Sequence, residues 1–331
     1  MKQPSSRHWA SVGFLFRAAQ KFGVTINVLD EERHVVEFQK NSKKILVLDD
    51  VPNLNRLVSA RLVRDKALVK RVLRQHGVSV PPGIKETRVT RALELVGHGI
   101  LKFPLVVKPV EGSQGSAVFV GVTDTKWLAT AIEEVFKYNR RTKGKSNSFI
   151  VEEFVPGDDY RLLVLDGKVL TVVMRKPAYV IGDGVLSIGR LIDQYNQQPE
   201  VGKYQPLCPI VRDLELQRHL HEQHLTEKLV PPKGKRIVLR KNANVSTGGR
   251  SFECADKVHP EYKKMAVRLA RIFGLRFCGI DLIARDISKF SNYAVIEINE
   301  TPGFDIHEQP YRGRPFPVAE HLVRAMFSMP S

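Results

Sequence analysis

Acidic and amide side chains interrupt two apolar segments near the C-terminal end of the chain. Asp281 lies in Cys278-Gly-Ile-Asp-Leu-Ile283, and Glu297 and Asn299 lie in Ala294-Val-Ile-Glu-Ile-Asn299. If both segments are β-strands, Glu297 and Asn299 point to one face, where an Asp from a neighbouring strand can meet them. Two carboxylates and an amide oxygen suit one or two Mg²⁺ ions that also hold phosphate oxygens. Acids in apolar strands are costly without a cation, so we favour a metal site over simple pairing with Arg or Lys.

A loop with two glycines and two serines follows another apolar segment. Lys108 ends that segment and is followed by Pro-Val-Glu-Gly-Ser-Gln-Gly-Ser116. Glycine allows backbone N–H groups to close around an oxyanion, and a neighbouring lysine adds a fixed positive charge, so the loop could hold phosphate. It matches neither the Walker A pattern nor the dinucleotide fingerprint, and by itself it is better explained as an ordinary hairpin loop.

A third candidate segment lies between these two features, at Ile150-Val-Glu-Glu-Phe-Val-Pro-Gly-Asp-Asp-Tyr-Arg161. A short apolar strand that runs into a polar turn could present backbone donors and acceptors to an adenine edge. A carboxylate just beyond it could bind ribose hydroxyls. Alone, the segment is simply a strand that ends in a turn.

Hydrophobic patterning predicts short strands alternating with helices around these features. In the first part of the chain, one helix presents an apolar stripe from Val58 to Leu73 and ends at Gly77. A hairpin turned at Asp166-Gly167 is expected in the middle of the chain. Residues 177–235, rich in Pro, Gly and Gln, are expected to form a long excursion with one helix rather than a domain.

The 331 residues are 43% apolar and 26% charged, which are ordinary globular values and exclude a disordered or collagen-like chain. The net charge of +17 should attract anions such as nucleic acid, acidic lipid or anionic substrates. Ten Lys or Arg residues lie between Arg56 and Arg91, and we favour a solvated face over a binding surface there.

No apolar run reaches the 18 or so residues of a membrane helix, so we expect a cytoplasmic protein that does not contact a membrane. Cys208, Cys254 and Cys278 lack the spacing of a zinc site and are interpreted as buried or idle thiols.

In their order along the chain, these features resemble the ATP-grasp superfamily, and most closely the glutathione-synthetase-like ligase domains of cyanophycin synthetase and bifunctional bacterial glutathione synthetase. The resemblance runs from about Leu57 to Phe327. Its most specific part is Leu239-Arg-Lys-Asn-Ala-Asn-Val-Ser-Thr-Gly-Gly249, followed by Gly279-Ile-Asp281 and Val295-Ile-Glu-Ile-Asn299.

The resemblance implies an α/β (α+β) ATP-grasp fold with three lobes and ATP between the central and C-terminal lobes. We place an N-terminal α/β lobe at 1–100, the central lobe with its glycine-rich lid at 101–158, and the C-terminal lobe with the metal site at 159–331.

The resemblance also implies roles for individual residues. The nucleotide-binding residues would be Lys66 and Lys108 at the phosphates, Ser113, Gln114, Gly115 and Ser116 in a mobile lid, Glu152, Glu153 and Val155 around the adenine, and Asp159 at the ribose. The metal ligands would be Asp281, Glu297 and Asn299, holding two Mg²⁺ ions, with Mn²⁺ as a possible substitute. The groups that hold the carboxylate and its acyl phosphate would be Arg161, Arg175, Arg240 and Asn244. For Arg161 and Arg175, a surface salt bridge is an almost equally good explanation.

The implied activity is an ATP-dependent carboxylate–amine ligase that forms an amide or peptide bond through an acyl phosphate and releases ADP and phosphate. Both substrates would be small molecules, at least one of them anionic, and relatives suggest self-association. D-alanine ligases place an Arg two residues before the first metal Asp, whereas Gly279 stands here, which argues against that branch.

Two alternatives remain open from the sequence. A nucleic-acid-binding protein could use the basic face between Arg56 and Arg91, although few aromatic residues are interleaved there, and we consider a nucleic-acid partner the weaker interpretation. The chain could also be an ATP-grasp kinase or an inactive relative.

Overall fold

The computed structural model describes residues 10–49, 51–112, 116–142, 147–202 and 207–329. The first elements are α1 (Ala10–Lys21), β1 (Thr25–Asp30), β2 (Val35–Lys40) and β3 (Lys43–Leu48). The strands form an antiparallel sheet in the order β1-β2-β3. Apolar side chains of α1, including Leu15 and Phe16, pack on this sheet through Phe38. These elements are called the N-terminal unit below.

Two helices, α2 (Leu57–Arg64) and α3 (Lys66–Gln75), replace the single helix that we predicted. Asp65 lies between them in an extended conformation and accepts hydrogen bonds from two backbone N–H groups in the first turn of α3, so it caps that helix. The predicted apolar stripe is wrong for α2, because Val58 is 69% exposed and Leu62 is 42% exposed. It is correct for α3, where Val69 and Leu73 are buried.

The central sheet and its helices comprise β4 (Gly83–Glu86), α4 (Val89–Gly97), β5 (Leu105–Pro109), β6 (Phe119–Val122), α5 (Thr125–Arg141) and β7 (Phe149–Glu153). The strands are antiparallel in the order β4-β7-β5-β6. Residues from both helices and from the sheet, such as Ala92, Leu128 and Val107, share one apolar cluster. This sheet therefore begins before the boundary that we placed at residue 100, because β4 pairs with β7 from the far end of the lobe.

A long antiparallel hairpin follows, formed by β8 (Asp158–Leu165) and β9 (Lys168–Lys176). Its turn is Asp166-Gly167, as predicted, and both residues adopt positive φ values of 45° and 76°. Two residues with positive φ form the type of turn that matches the twist of a hairpin.

The segment that we predicted to be an excursion is a folded unit with a hydrophobic core of its own, so that prediction was wrong. Its elements are β10 (Tyr179–Ile181), α6 (Ile188–Asn196), α7 (Leu214–Glu222) and β11 (Arg236–Val238). β10 and β11 pair antiparallel, and both helices bury apolar residues beneath them, among them Ile192 and Leu216. The strands are only three residues long and α7 was not recognised, which is why the sequence pattern concealed this unit. We call it the inserted unit.

The remaining elements are β12 (Arg250–Glu253), α8 (Pro260–Ile272), β13 (Phe277–Ala284), β14 (Tyr293–Asn299), α9 (Asp305–Glu308) and α10 (Val318–Phe327). β8, β9 and the three new strands form the C-terminal sheet in the order β12-β9-β8-β13-β14. One face, which carries Leu162 and Ile280, packs on α8 and α3.

The opposite face of the C-terminal sheet has an apolar end and a polar end. Leu163, Leu165 and Phe277 at the apolar end are covered by the N-terminal unit and α10. Arg161 and Asp281 follow on the same face, because side chains alternate along a strand. The polar end is the floor of the candidate site.

Cys208, Cys254 and Cys278 are free thiols, and the last two are buried. Among the described residues, every helix is too short or too polar to cross a membrane.

Candidate active site

A cavity of about 490 Å³ lies between the central sheet and the polar end of the C-terminal sheet. Its walls include residues from both sheets, from the loop after β14 and from the inserted unit's boundary at Asn244. Helix α1 also reaches it through Ser11. The cavity therefore collects side chains that are far apart in sequence, as expected for a site between two lobes.

Strand register brings the three predicted metal ligands together. Asp281 is paired across β13 and β14 with Glu297, and Gly279 is paired with Asn299. Partners in an antiparallel pair point to the same face, and all three polar side chains line the cavity. On the other side of β13, Asp281 is paired with Arg161 of β8.

Arginine and lysine side chains already contact both acids. Asp281 is 4% exposed and accepts two hydrogen bonds of 2.7 Å from Arg161 and one of 3.1 Å from Arg175. Burial would raise the pKa of Asp281, but the two guanidinium groups lower it to about 2. Asn299 donates to the same carboxylate at 3.2 Å, and Lys66 lies 3.2 Å from Glu297. Ion pairing, the alternative that we weighed from the sequence, thus describes the contacts of both acids.

The donor set nevertheless has the chemistry of a magnesium site. Asp281, Glu297 and Asn299 offer hard oxygen atoms on one cavity wall, which is what Mg²⁺ prefers. Within the described ranges, no three His, Cys, Asp or Glu side chains are grouped to hold a metal by themselves. A metal here would therefore depend on Asn299 and on oxygen atoms from a ligand.

Three lysine side chains lie close to these acids, and two of them contact the buried carboxylate of Glu152. Lys66 donates to the Gly112 carbonyl at 2.9 Å, and Lys108 lies 3.0 Å from Glu152. Lys70 contacts the other oxygen of Glu152. Sequence analysis missed Lys70, and its signal was its position one helical turn after Lys66, on the same face of α3.

The proposed adenine segment also lines the cavity, through Glu152, Glu153 and Val155. The carboxylate of Glu153 accepts a hydrogen bond from the Lys102 backbone at 3.0 Å. Asp159, further along, pairs with Arg175 at 2.6 Å. The acid that we assigned to the ribose is therefore engaged by an arginine of the neighbouring strand.

The structure does not bring Arg240 to the cavity. Arg240 follows the inserted unit, and its side chain is fully buried against that unit, 3.1 Å from Asp213 and 3.4 Å from Glu215. These two acids stand at the start of α7, the helix that sequence analysis did not recognise. The prediction that Arg240 holds the acyl phosphate is not supported by this geometry. Its neighbour Lys241 does line the cavity.

The lid assignment is only partly described. Ser116 is exposed and lines the cavity, whereas Ser113, Gln114 and Gly115 lie outside the described residues. Two other lining residues, Cys208 and Asp305, were not assigned from the sequence. Asp305 lies six residues after Asn299, and this closeness to a predicted ligand is the signal that could have identified it from the sequence.

The fold agrees with comparisons to known proteins. The RimK-like ATP-grasp domain family matches residues 63–179 and 239–314, so the unmatched stretch between them is the inserted unit. Cyanophycin synthetase of Trichormus variabilis is 34% identical over 279 residues, which cover 82% of this chain and 30% of that protein. The glutathione biosynthesis bifunctional protein GshAB of Mannheimia succiniciproducens is 32% identical over 317 residues, covering 91% of this chain and 40% of that protein.

Among solved structures, the bifunctional glutathione synthetase from Pasteurella multocida aligns with 98% of this chain and 44% of its own. The TM-score is 0.67 at 28% sequence identity. The chain thus spans well under half the length of these relatives, but the family match and the shared fold cover both sheets that form the cavity. The ATP-grasp fold expected from the sequence is confirmed, and the chain belongs to the RimK-like ATP-grasp family.

Proposed function

We propose that this protein is an ATP-dependent carboxylate–amine ligase that forms an amide or peptide bond and releases ADP and phosphate. The observation that carries the proposal is the cavity in which Lys66 and Lys108 face the Asp281, Glu297 and Asn299 set. Cations and hard oxygen ligands that line one cavity are what the transfer of a phosphoryl group between two anions requires. Family membership and the names of the relatives support the same conclusion.

In the proposed reaction, the nucleotide lies between the two sheets. Lys66 and Lys108 bind its phosphates, with Glu152 as the counter-ion of Lys108. Glu153 and Val155 orient its adenine, and Asp159 binds the ribose once Arg175 turns to the substrate. A carboxylate oxygen of the acid attacks the γ-phosphorus, and the bond to the β-phosphate oxygen breaks to release ADP. Arg161, Arg175 and Asn244 hold the acyl phosphate, while Ser113, Gln114, Gly115 and Ser116 close over it and exclude water.

The amine nitrogen then attacks the acyl carbon, the carbon–oxygen bond to phosphate breaks, and the nitrogen loses a proton. Asp281, Glu297 and Asn299 would hold Mg²⁺, for which we propose two ions, with Mn²⁺ as a substitute. When bound, the metal supplies positive charge that offsets the repulsion between the acid and the triphosphate.

One carboxylate in the cavity is suited to the amine substrate. Asp305 lines the cavity next to Ser11, whose hydroxyl donates to it at 3.4 Å, and no ion pair within 4 Å joins it to a cation among the residues that the structure describes. Asp281, Glu297 and Asp159 each have such a partner. Burial raises the pKa of Asp305, because its negative charge is poorly solvated. A substrate ammonium group would compensate that charge, so we place the amine beside Asp305 and the anionic acid at Arg161 and Arg175.

The nucleic-acid alternative is weaker in light of the contacts of the basic segment. Lys66 and Lys70 are buried at the site, and Arg64 and Lys85 pair with Glu300 and Asp65. Fewer basic side chains are therefore available to phosphates of a nucleic acid than the sequence count suggested.

The test is a phosphate-release screen of the purified protein with Mg-ATP against a matrix of carboxylates and amines. We expect phosphate only when an acid and an amine are both present. Asp281→Asn combined with Glu297→Gln should reduce turnover by orders of magnitude, whereas Asp166→Asn with Glu261→Gln, two acids outside the cavity, should not. ADP formation without an amine and without free phosphate would indicate a kinase, and full activity of the first double variant would remove the metal assignment.

A further inference from the structure

Two lysine side chains share the buried carboxylate of Glu152. Lys70 contacts Oε1, and Lys108 lies 3.0 Å from Oε2. Lys70 and Lys108 are each 4% exposed, and Glu152 is 2% exposed. Two lysine side chains thus share one carboxylate where water has little access, and burial lowers the pKa of both lysines.

The two lysines differ in their access to the cavity. Lys108, Lys66 and Glu152 line it, whereas Lys70 does not. Lys70 approaches from α3, behind Glu152, and its helix is fixed by the cap at Asp65 and by the buried side chains of Val69 and Leu73. A ligand in the cavity can therefore reach Lys108 but not Lys70.

A buried carboxylate that loses its only counter-ion becomes strongly unfavourable. If Lys108 were the sole partner of Glu152, turning Lys108 toward a phosphate would leave that carboxylate uncompensated. With Lys70 in place, Glu152 keeps one cation when Lys108 moves. The cost of moving Lys108 is then much smaller.

We propose that Lys70 is a positioning residue that holds the charge of Glu152 and so makes Lys108 available to nucleotide phosphates. This inference rests on the nucleotide-binding part of the proposed function and not on the identity of either substrate. It assigns Lys70 no contact with the ligand. It also explains why a lysine of the basic segment is buried rather than exposed.

The experiment measures the affinities of Mg-ADP, Mg-tripolyphosphate and adenosine by calorimetry for wild type and variants. Lys70→Met should weaken Mg-ADP and Mg-tripolyphosphate by about tenfold or more, because binding must then break the last ion pair of Glu152. Adenosine, which lacks phosphates, should change less than about threefold. Lys70→Arg, which keeps the charge, should restore most of the affinity.

The decisive comparison is made in the Glu152→Gln background, where no buried carboxylate needs compensation. There, Lys70→Met should have little further effect on Mg-ADP. An equal loss in both backgrounds, or an equal loss for adenosine, would mean that Lys70 acts only through the general structure and would overturn the proposal. If Lys70→Met alone does not fold, the double variant Lys70→Met with Glu152→Gln is compared with Glu152→Gln alone. A large loss of Mg-ADP affinity in that comparison would overturn the proposal in the same way.

These outcomes are separate from those of the ligase proposal. Nucleotide binding with the expected Lys70 dependence but no turnover for any acid and amine would overturn the ligase activity alone. Absence of nucleotide binding in the wild type would overturn both. Lys108→Met is the reference variant, since it removes the phosphate contact directly and should weaken Mg-ADP in either background.

Discussion

Arg161 contacts Asp281 through two parallel hydrogen bonds, Nε to Oδ1 and Nη2 to Oδ2, each 2.7 Å long. The fork of a guanidinium matches a carboxylate in a way that the single ammonium of lysine cannot. We expect Arg161→Lys to lower kcat by roughly 10- to 100-fold, because Asp281 and the acyl phosphate are then held less firmly. The KM for ATP should change little.

The chain contains a matched control for this variant. Arg276 forms the same two-point contact with Asp166, at 2.7 and 2.9 Å, on the surface and outside the cavity. Arg276→Lys should leave kcat unchanged in the same steady-state phosphate assay. Wild-type kcat in Arg161→Lys would show that the two-point contact has no part in turnover.

Neighbouring atoms occupy the space beside Gly279 that a larger side chain would need. A Cβ atom at this position would lie 2.9 Å from Cβ of Pro302 and 3.5 Å from Cδ of Arg161. We therefore expect Gly279→Ala to displace the loop after β14, to cost about 1–3 kcal/mol in the free energy of unfolding, and to lower kcat. Denaturant unfolding and the phosphate assay measure the two effects. Gly97→Ala, where no atom lies within 4 Å, should be nearly neutral, and equal behaviour of the two variants would contradict the steric argument.

Asp305 should determine affinity for the amine. Asp305→Asn removes the charge and keeps the shape of the side chain. The KM for the amine should therefore rise by about tenfold, which corresponds to the loss of one partly solvated ion pair, and the KM for ATP should stay constant. The measurement needs one active substrate pair from the screen. An increase in the KM for the acid instead would place the two substrates in the opposite order along the cavity.

Glu308 should make stability depend on pH. Burial raises the pKa of Glu308 to about 7, and repulsion from Glu320 acts in the same direction. The hydrogen bond that Glu308 accepts from the Ala319 backbone N–H acts in the opposite direction. The folded protein then binds this proton more tightly than the unfolded chain does. The resulting stabilisation is complete below about pH 4.5 and is lost as the pH rises through about 7.

Glu308→Gln keeps an acceptor for Ala319 and has no charge to bury. Its free energy of unfolding relative to wild type should therefore rise between pH 5 and pH 8, by on the order of 1 kcal/mol once solvent screening of this partly exposed group is considered. Denaturant unfolding at each pH measures the difference. Glu94→Gln, at an exposed position on α4, should show no such trend. A pH-independent difference for Glu308→Gln would contradict the assignment.

The sequence predicted those parts of the site that depend on local periodicity. The alternation of side chains was enough to place Glu297 and Asn299 on one face, and an apolar run was enough to place Lys108 at the end of a strand. Lys70 was missed although it lies one helical turn after Lys66, because a lysine in a basic helix is usually solvated and only its contact with Glu152 of β7 buries it. Arg240 was assigned to the site for a similar reason. Its partners Asp213 and Glu215 lie at the start of α7, a helix that the hydrophobic pattern did not reveal.

The apolar end of the C-terminal sheet has a consequence for how this domain can be divided. The family match starts at residue 63, yet Leu163, Leu165 and Phe277 are covered by residues that precede it. A fragment cut at the family boundary would expose this apolar end of the sheet and should aggregate. The same segment brings Ser11 to the cavity, where its hydroxyl donates to Asp305, so such a cut would also remove one wall residue of the site.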